Sequence, residues 1–136
     1  MPGPRRPADG GSWPLQHRPE AASAARRIAR RMLEDWHVSG DIEDTALLVV
    51  SELVTNAVEH AQAPVVLHLH HQHADGRVWV GVTDGGPAPH DGAWSTSCTP
   101  DEHGRGLDLI DALTTAHGTH THTHGGTTHW ARLHTT

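Results

Sequence analysis

The chain has 136 residues, a formal net charge of −6 with its fifteen histidines neutral, and a single cysteine. This length suits one domain with a modest core, and the acidic balance argues against a nucleic-acid-binding surface. One cysteine cannot form an internal disulfide, and neither a secretory leader nor a membrane-length apolar run is visible, so we expect a cytoplasmic protein without membrane contact.

The first third of the chain predicts a tail, a strand and a helix. Residues 1–12 are rich in Pro, Gly and Arg, which is typical of a disordered tail, so the folded domain is expected over residues 13–136. Residues 13–16 predict a short strand, and a helix is expected from residue 19 to residue 36. Its basic side is most simply a solvated face; its apolar stripe consists of Ala25, Ile28, Ala29, Met32, Leu33 and Trp36.

A second and longer amphipathic helix is predicted over residues 41–61. Asp41 is expected to be its N-cap, and Glu43 and Asp44 suit the positive end of the helix dipole. Its apolar residues recur at helical spacing and predict the buried face. They are Leu47, Val50, Leu53, Val54, Ala57 and Ala61.

Three polar residues of this helix are spaced four apart and therefore share one side of it. They are Glu52, Asn56 and His60. A carboxylate, an amide and an imidazole in one line can supply a base, a ligand for a hard metal such as Mg²⁺ and a third polar contact. The same stripe also fits an ordinary solvated helix face.

The rest of the chain predicts a sheet with one more helix. Alternating valines, leucines and histidines indicate half-buried strands, and Asp75-Gly76 is a hairpin turn signal. The fold class is therefore α+β, a two-layer sandwich with helices on one face of a mainly antiparallel mixed sheet. In order, we expect a strand at 64–71, a strand at 77–83, a long loop at 85–103, a helix at 106–114 and a final hairpin of strands 119–124 and 127–134.

Two glycine-containing segments are candidates for ligand binding. Asp84, followed by Gly85 and Gly86, places a carboxylate at a strand end, where it can accept a hydrogen bond from the exocyclic amine of adenine while the glycines let the backbone approach a flat ring. The segment from Gly104 to Gly106 precedes a predicted helix, whose first N–H groups can bind an anion. An ordinary turn and a flexible loop are the alternatives.

Together these segments resemble the motifs of the Bergerat-fold (GHKL) ATPases, which include sensor histidine kinases, DNA gyrase B, Hsp90 and MutL. Glu52-x-x-x-Asn56-Ala-x-x-His60 resembles the N box, and Asp84 with Gly86 resembles the first glycine box. Gly104-Arg105-Gly106-Leu107 resembles the second. The resemblance covers about residues 13–133 and is nearest to the short anti-sigma-factor serine kinases of actinobacteria.

The resemblance implies roles for individual residues. Asn56 is expected to coordinate Mg²⁺, Glu52 to act as general base and Asp84 to bind adenine, with His60 and Gly86 in the same boxes. Gly104, Arg105, Gly106 and Leu107 are expected at the phosphates. Either Thr127 or Thr128 is expected to support the aspartate and the base. The family pattern has a second glycine after Gly86, where this sequence has Ala88.

The resemblance also implies a function. We expect a regulatory protein that binds ATP with Mg²⁺ and phosphorylates a serine of an antagonist protein in a partner switch, with a sigma factor as the other partner. A homodimer is compatible with this reading. The alternatives are a non-catalytic module in which ATP only controls protein binding, and a His-rich metal-binding protein on the same fold.

The metal-binding alternative rests on histidines near the C-terminus. His120, His122 and His124 would share one face of the strand predicted at 119–124, close enough to bind Zn²⁺ or Ni²⁺ together, with His117 nearby. A structural zinc site needs four fixed ligands, and no cysteine or carboxylate stands at ligand spacing here. We therefore favour an opportunistic surface cluster.

Overall fold

The computed structural model describes residues 9–72, 76–87, 114 and 116–134. The elements within these residues are β1 (Gly10–Leu15), α1 (Ala21–Asp35), α2 (Asp41–His60), β2 (Val65–Gln72), β3 (Arg77–Asp84), β4 (Ala116–Thr121) and β5 (Thr127–His134). The segment 106–113, where the sequence predicts a third helix, lies outside the described residues, as do most of the predicted loop and Asp75.

The five described strands form one sheet in the order β1-β2-β3-β5-β4, and every pairing between them is antiparallel. Both described helices pack on the same side of this sheet. Helix α2 contacts β2, β3 and β5, whereas α1 contacts α2, β1 and β2. The predicted α+β two-layer sandwich is confirmed.

The core lies between the helices and one face of the sheet, here called the cavity face. Strand alternation directs every second residue to this face, and the predicted valines of β3 are fully buried there. The predicted apolar stripes of both helices face the same layer. The buried strand residues are Val65, Leu67, Leu69, Val78, Val80, Val82, Ala131 and Leu133.

Strand β1 begins earlier than predicted. Residues 10–12, which the sequence assigns to a disordered tail, pair with β2 from Gly10 opposite His70 onward, and the strand ends at Leu15 rather than at residue 16. The ladder to β2 fixes this backbone regardless of its glycine content, while Trp13 and Leu15 pack against the core. Composition describes only the isolated segment and misses this pairing.

The start of α2 also differs from the prediction. Gly40, not Asp41, is the N-cap residue, and it has φ of +72° and no side-chain hydrogen bond to the helix. Glycine adopts this backbone without strain, so the chain enters the helix one residue early. Asp41 is instead the first helical residue, where its carboxylate joins Glu43 and Asp44 in the first turn and favours the positive end of the dipole.

The final hairpin is present, but the strand predicted at 119–124 is shifted towards the N-terminus. Strand β4 ends at Thr121, which pairs with Thr127, and residues 122–126 form the turn. The His122 N–H donates to the Gly126 carbonyl at 2.7 Å, and Gly125 has φ of +98°. The Gly125 N–H also donates to the His122 carbonyl at 2.9 Å. The two bonds stabilise a five-residue turn in place of the predicted two-glycine turn.

Candidate functional site

A cavity of about 280 Å³ opens between the C-terminal end of α2 and the adjoining ends of β3 and β5. This volume is near the lower end of the range for small-molecule sites, about 300–1,000 Å³. Helix α2 contributes two polar side chains from its last two turns, and β3 and β5 contribute their cavity-face residues. Within the described part of the chain, the lining residues are Asn56, His60, Ala61, Asp84, Pro87, Thr127 and His129.

Asp84 is the buried acidic group of this cavity, with only 3% of its side chain exposed. Its Oδ1 accepts a hydrogen bond from the Gly86 N–H at 2.8 Å. Its Oδ2 lies 3.5 Å from Nε2 of His129, whose side chain is 37% exposed. An ionised carboxylate only accepts hydrogen bonds and has about four lone-pair sites. Asp84 is therefore suited to bind a ligand that presents an N–H donor.

The two glycines after Asp84 are required by protein contacts. A Cβ on Gly85 would collide with the Ala63 carbonyl oxygen, and a Cβ on Gly86, whose φ is +98°, would collide with the Gly125 carbonyl oxygen. From the sequence, the expected reason for these glycines is close approach of the backbone to a flat ligand ring. In the structure, the space that each Cβ would take is filled by backbone, so these glycines shape the wall of the cavity.

The end of α2 is hydrogen-bonded directly to the segment that follows Asp84. The Gln62 N–H donates to the Gly86 carbonyl at 2.9 Å, and the Gly85 N–H donates to the Gln62 carbonyl at 2.7 Å. The Gln62 side-chain amide donates to the Pro87 carbonyl at 2.8 Å, and Ala61 forms a β-bridge with Pro87. These contacts fix the helix that carries Asn56 relative to the strand that carries Asp84.

The two candidate threonines lie on opposite faces of β5. Thr127 pairs with Asp84, is 8% exposed and lines the cavity. Thr128 faces the other side of the sheet, here called the outer face, where its hydroxyl lies 2.6 Å from that of Thr83. The geometry therefore leaves Thr127 as the threonine that can act together with Asp84.

Four of the residues singled out in the sequence line this cavity: Asn56, His60, Asp84 and Thr127. Gly86 joins them through its bond to Asp84. Glu52 does not line the cavity; it lies one helical turn before Asn56 and is half-buried. Thr128 lies on the outer face. Gly104, Arg105, Gly106 and Leu107 lie outside the described residues.

Among the described residues, three lining residues were not predicted from the sequence: His129, Ala61 and Pro87. His129 could have been found, because it follows Thr127 by two residues and strand alternation places both on the same face. Pro87 enters the lining through its bridge to Ala61, a pairing between segments that are distant in sequence. No local sequence pattern indicates that bridge.

Two kinds of metal site can be compared with the donor atoms of this cavity. A metal ion that is held partly by ligand phosphates fits these atoms better than one held by protein side chains alone. The described residues contain no group of three or more His, Cys, Asp or Glu side chains arranged to hold a metal ion. Mg²⁺ commonly uses only one or two protein oxygens together with substrate phosphates and water. The Asn56 side-chain oxygen is a candidate of that kind. His60 lies 3.7 Å from Glu59, between Nε2 and Oε2.

The three histidines that suggested a metal site lie close together, but not in one strand. His120 is in β4, whereas His122 and His124 are in the turn. The His122 ring lies 4.7 Å from that of His120, edge to face, and 5.3 Å from that of His124, stacked. Ring stacking, together with a bond from His122 to Thr128 at 2.8 Å, accounts for their positions.

The comparison to known protein families agrees with the fold. Residues 15–133 match the model of the histidine kinase-like ATPase domain. The chain belongs to this family. The predicted family and its fold are thereby confirmed. Membership in this family implies ATP binding. No curated protein matches the chain significantly.

Solved structures share the fold. The RsbU and RsbW domains of Rv1364c from Mycobacterium tuberculosis match 93% of this chain with 24% identity and a TM-score of 0.72. The SiaB-SiaC complex from Pseudomonas aeruginosa matches 91% of the chain with 14% identity and a TM-score of 0.57. The chain spans 32% of the first matched chain and 88% of the second.

Neither helix among the described residues is long and apolar enough to cross a membrane.

Proposed function

We propose that this chain is a cytoplasmic ATP-binding regulator that phosphorylates a serine or threonine of an antagonist protein in a partner switch, with a sigma factor as the competing partner. The observation that carries the proposal is the convergence of Asn56, Asp84 and Thr127 on one cavity, in a chain of the histidine kinase-like ATPase family. Two structural relatives support it, since one combines RsbU and RsbW domains and the other is a complex of two proteins.

Adenine recognition is assigned to Asp84 and Thr127. The 6-amino group of adenine donates a hydrogen bond, and the acceptor-only carboxylate of Asp84 matches it. Guanine has a carbonyl oxygen at the same ring position, which would face the carboxylate without a donor. A site built to hydrogen-bond one group rejects the analogue that lacks it, because its polar atoms would remain unpaired.

The phosphates and the metal are assigned to the other end of the site. Asn56, with His60 on the next turn, lines the cavity and would hold Mg²⁺, which would supply positive charge to the phosphates. Gly104, Arg105, Gly106 and Leu107 are assigned to the phosphates. In the transfer, the serine oxygen attacks the γ-phosphorus and the bond to the β,γ-bridging oxygen breaks. ADP leaves, and the hydroxyl proton passes to Glu52.

The position of Glu52 favours a second candidate function, a non-catalytic module in which ATP only sets the binding conformation. Glu52 does not line the cavity, unlike Asn56 one turn later, and Ala88 replaces a family glycine. A general base must come within hydrogen-bond reach of the hydroxyl, although such contacts often tighten only when substrate is bound. The two functions therefore differ in whether Glu52 acts on a substrate.

Nucleotide binding is the first test. Calorimetry with Mg-ATP should show binding by the wild type, at least about 100-fold weaker binding by Asp84→Asn, and much weaker binding of GTP. Asp41→Asn removes an exposed carboxylate from the other end of α2 and is the control for net charge. Absence of ATP binding by the wild type, or undiminished binding by Asp84→Asn, would sink the adenine assignment.

Phosphotransfer is the second test, and it needs the products of neighbouring genes as substrates. Glu52→Gln keeps the shape of the side chain and removes its basicity, so we expect ATP affinity to stay within a small factor and transfer to fall about 10²- to 10⁴-fold. Asn56→Ala should lose both. A wild type that transfers no phosphate but binds one of these proteins only with ATP would establish the module instead.

A further inference from the structure

His129 is held between two neighbours on the cavity face of the sheet. Its Nδ1 lies 3.2 Å from the Thr119 hydroxyl of β4, and its Nε2 lies 3.5 Å from Oδ2 of Asp84 on β3. Both ring nitrogens are therefore directed at polar partners on the two strands that flank β5. None of the sequence motifs includes His129, although it lines the cavity.

The chemistry of these partners favours one tautomer of a neutral His129 ring. An ionised carboxylate cannot donate a hydrogen bond, so the tautomer with the proton on Nε2, facing Asp84, is favoured. Nδ1 then accepts from the Thr119 hydroxyl, which is able to donate. The separation of 3.5 Å is long for a hydrogen bond, so the contact acts mainly by charge and dipole.

We propose that His129 is a positioning residue for base recognition, acting through Asp84. The Gly86 N–H fixes Oδ1 at 2.8 Å, and His129 restrains Oδ2 from another strand. The carboxylate is thereby oriented from two sides before a ligand arrives. His129 thus contributes to the preference for a base with an exocyclic amine, an inference that rests on the proposed ATP binding.

Two substitutions separate positioning from packing. His129→Gln retains an amide N–H near the place of Nε2, whereas His129→Leu retains bulk without a donor. We expect His129→Leu to weaken ATP binding about tenfold while GTP binding changes little, so the ATP-to-GTP affinity ratio falls. His129→Gln should restore ATP affinity to within about threefold of wild type, since one donor replaces another. His124→Gln, an exposed histidine of the turn, is the control.

The possible outcomes separate this inference from the proposed function. If the wild type binds ATP and His129→Leu keeps both the affinity and the ATP-to-GTP ratio, the inference fails and ATP binding stands. If His129→Gln loses as much ATP affinity as His129→Leu, a hydrogen-bond donor at this place does not support binding, and the inference again fails. A wild type that binds no nucleotide overturns both.

A measurement without nucleotide tests the same contact. Nitrogen-15 spectra of the histidine rings at about pH 8 should show His129 protonated at Nε2 and bare at Nδ1, since Asp84 requires a donor. Thr119→Val removes the partner of Nδ1 and should reduce this tautomer preference. A ring protonated at Nδ1 would overturn the inference regardless of nucleotide binding.

Discussion

Polar side chains at the same point along β5 have different surroundings on the two faces of the sheet. On the cavity face, Thr127 and His129 converge with Asp84 on an open space. On the outer face, Thr128 joins a line of side-chain hydrogen bonds that crosses four strands and reaches the turn. The line runs Ser12 to His68 at 2.7 Å, His68 to Thr83 at 2.8 Å, Thr83 to Thr128 at 2.6 Å and Thr128 to His122 at 2.8 Å.

The difference shows what marks a site in this protein. Hydroxyl and imidazole groups are plentiful on both faces, so their number distinguishes nothing. On the outer face, the hydroxyl and imidazole groups of the line form hydrogen bonds with one another. On the cavity face a buried carboxylate faces an open cavity of about 280 Å³. The candidate site therefore differs from a structural network because its polar side chains surround a cavity, not because it has more of them.

The largest expected effect compares two glycines that share φ of +98°, Gly86 behind Asp84 and Gly125 in the histidine turn. Gly86→Ala adds a Cβ that collides with the Gly125 carbonyl, whereas a Cβ on Gly125 meets nothing within 4 Å. Backbone strain alone costs about 1–3 kcal/mol. We expect both variants to lower the free energy of unfolding in urea, Gly86→Ala by at least about 1 kcal/mol more.

The same glycine pair should differ in ligand binding. Gly86→Ala displaces the N–H that holds Oδ1 of Asp84, so we expect ATP affinity to fall with stability. Gly125→Ala should leave affinity close to wild type. Equal losses of stability in the two variants would mean that the cavity wall yields to the extra methyl, and the assigned close contact would be wrong.

A smaller effect is expected from exchanging adjacent threonines for valine, which is similar in shape but lacks the hydroxyl. Thr127→Val should weaken ATP binding up to about tenfold, as one hydrogen bond contributes about 0.5–1.5 kcal/mol. Thr128→Val should leave ATP affinity unchanged and lower the free energy of unfolding by about 1 kcal/mol, because it breaks the outer line. If Thr128→Val lost ATP affinity and Thr127→Val did not, the nucleotide site would lie on the outer face and the assignment would be wrong.

The smallest expected effect is a pH dependence of the free energy of unfolding, caused by His68 in the line of hydrogen bonds on the outer face. Burial, and secondly repulsion from His122, lower the pKa of His68 below its ordinary 6.5. Because the folded pKa lies below the unfolded one, the neutral ring is favoured in the folded state. Stability is therefore complete above about pH 6.5 and is lost as pH falls through the folded pKa.

Thermal unfolding between pH 7.5 and 5 measures this dependence. His68→Gln should lose less stability than wild type on acidification, since it has no ring to protonate. His122→Gln removes the repulsion and should keep most of the pH dependence, because burial is the larger cause of the lowered pKa. If His68→Gln follows the wild-type profile throughout, other histidines control the response.

Much of the fold could be predicted because it rests on local periodicity. The valines of β3 alternate and the apolar residues of α2 recur at helical spacing, and both patterns hold in the structure. The misplaced boundaries depend on tertiary partners. Residues 10–12 become a strand because β2 lies beside them, and β4 ends at Thr121 because the bonds of the following turn close there.

The candidate site could be predicted in part for a related reason. Motif resemblance predicts Asn56, His60 and Asp84, and it leaves Thr127 and Thr128 as alternatives. The structure brings Asn56, His60, Asp84 and Thr127 together. The choice between Thr127 and Thr128 required the register opposite Asp84, because adjacent strand residues face opposite ways. The separation of Glu52 from the lining required the placement of α2 against β3. Spacing along a helix shows which residues share a side, but not which of them reach a cavity.

The hydrogen bonds of Gln62 have a consequence for the thermodynamics of binding. Through them the end of α2 and the Asp84 segment are joined in the folded protein, before any ligand is present. A ligand that bridges Asn56 and Asp84 therefore loses little affinity to ordering of these two elements, since their conformational entropy is lost during folding. Binding at this end of the site should accordingly resemble docking to a preorganised receptor, with a small entropic penalty from the protein.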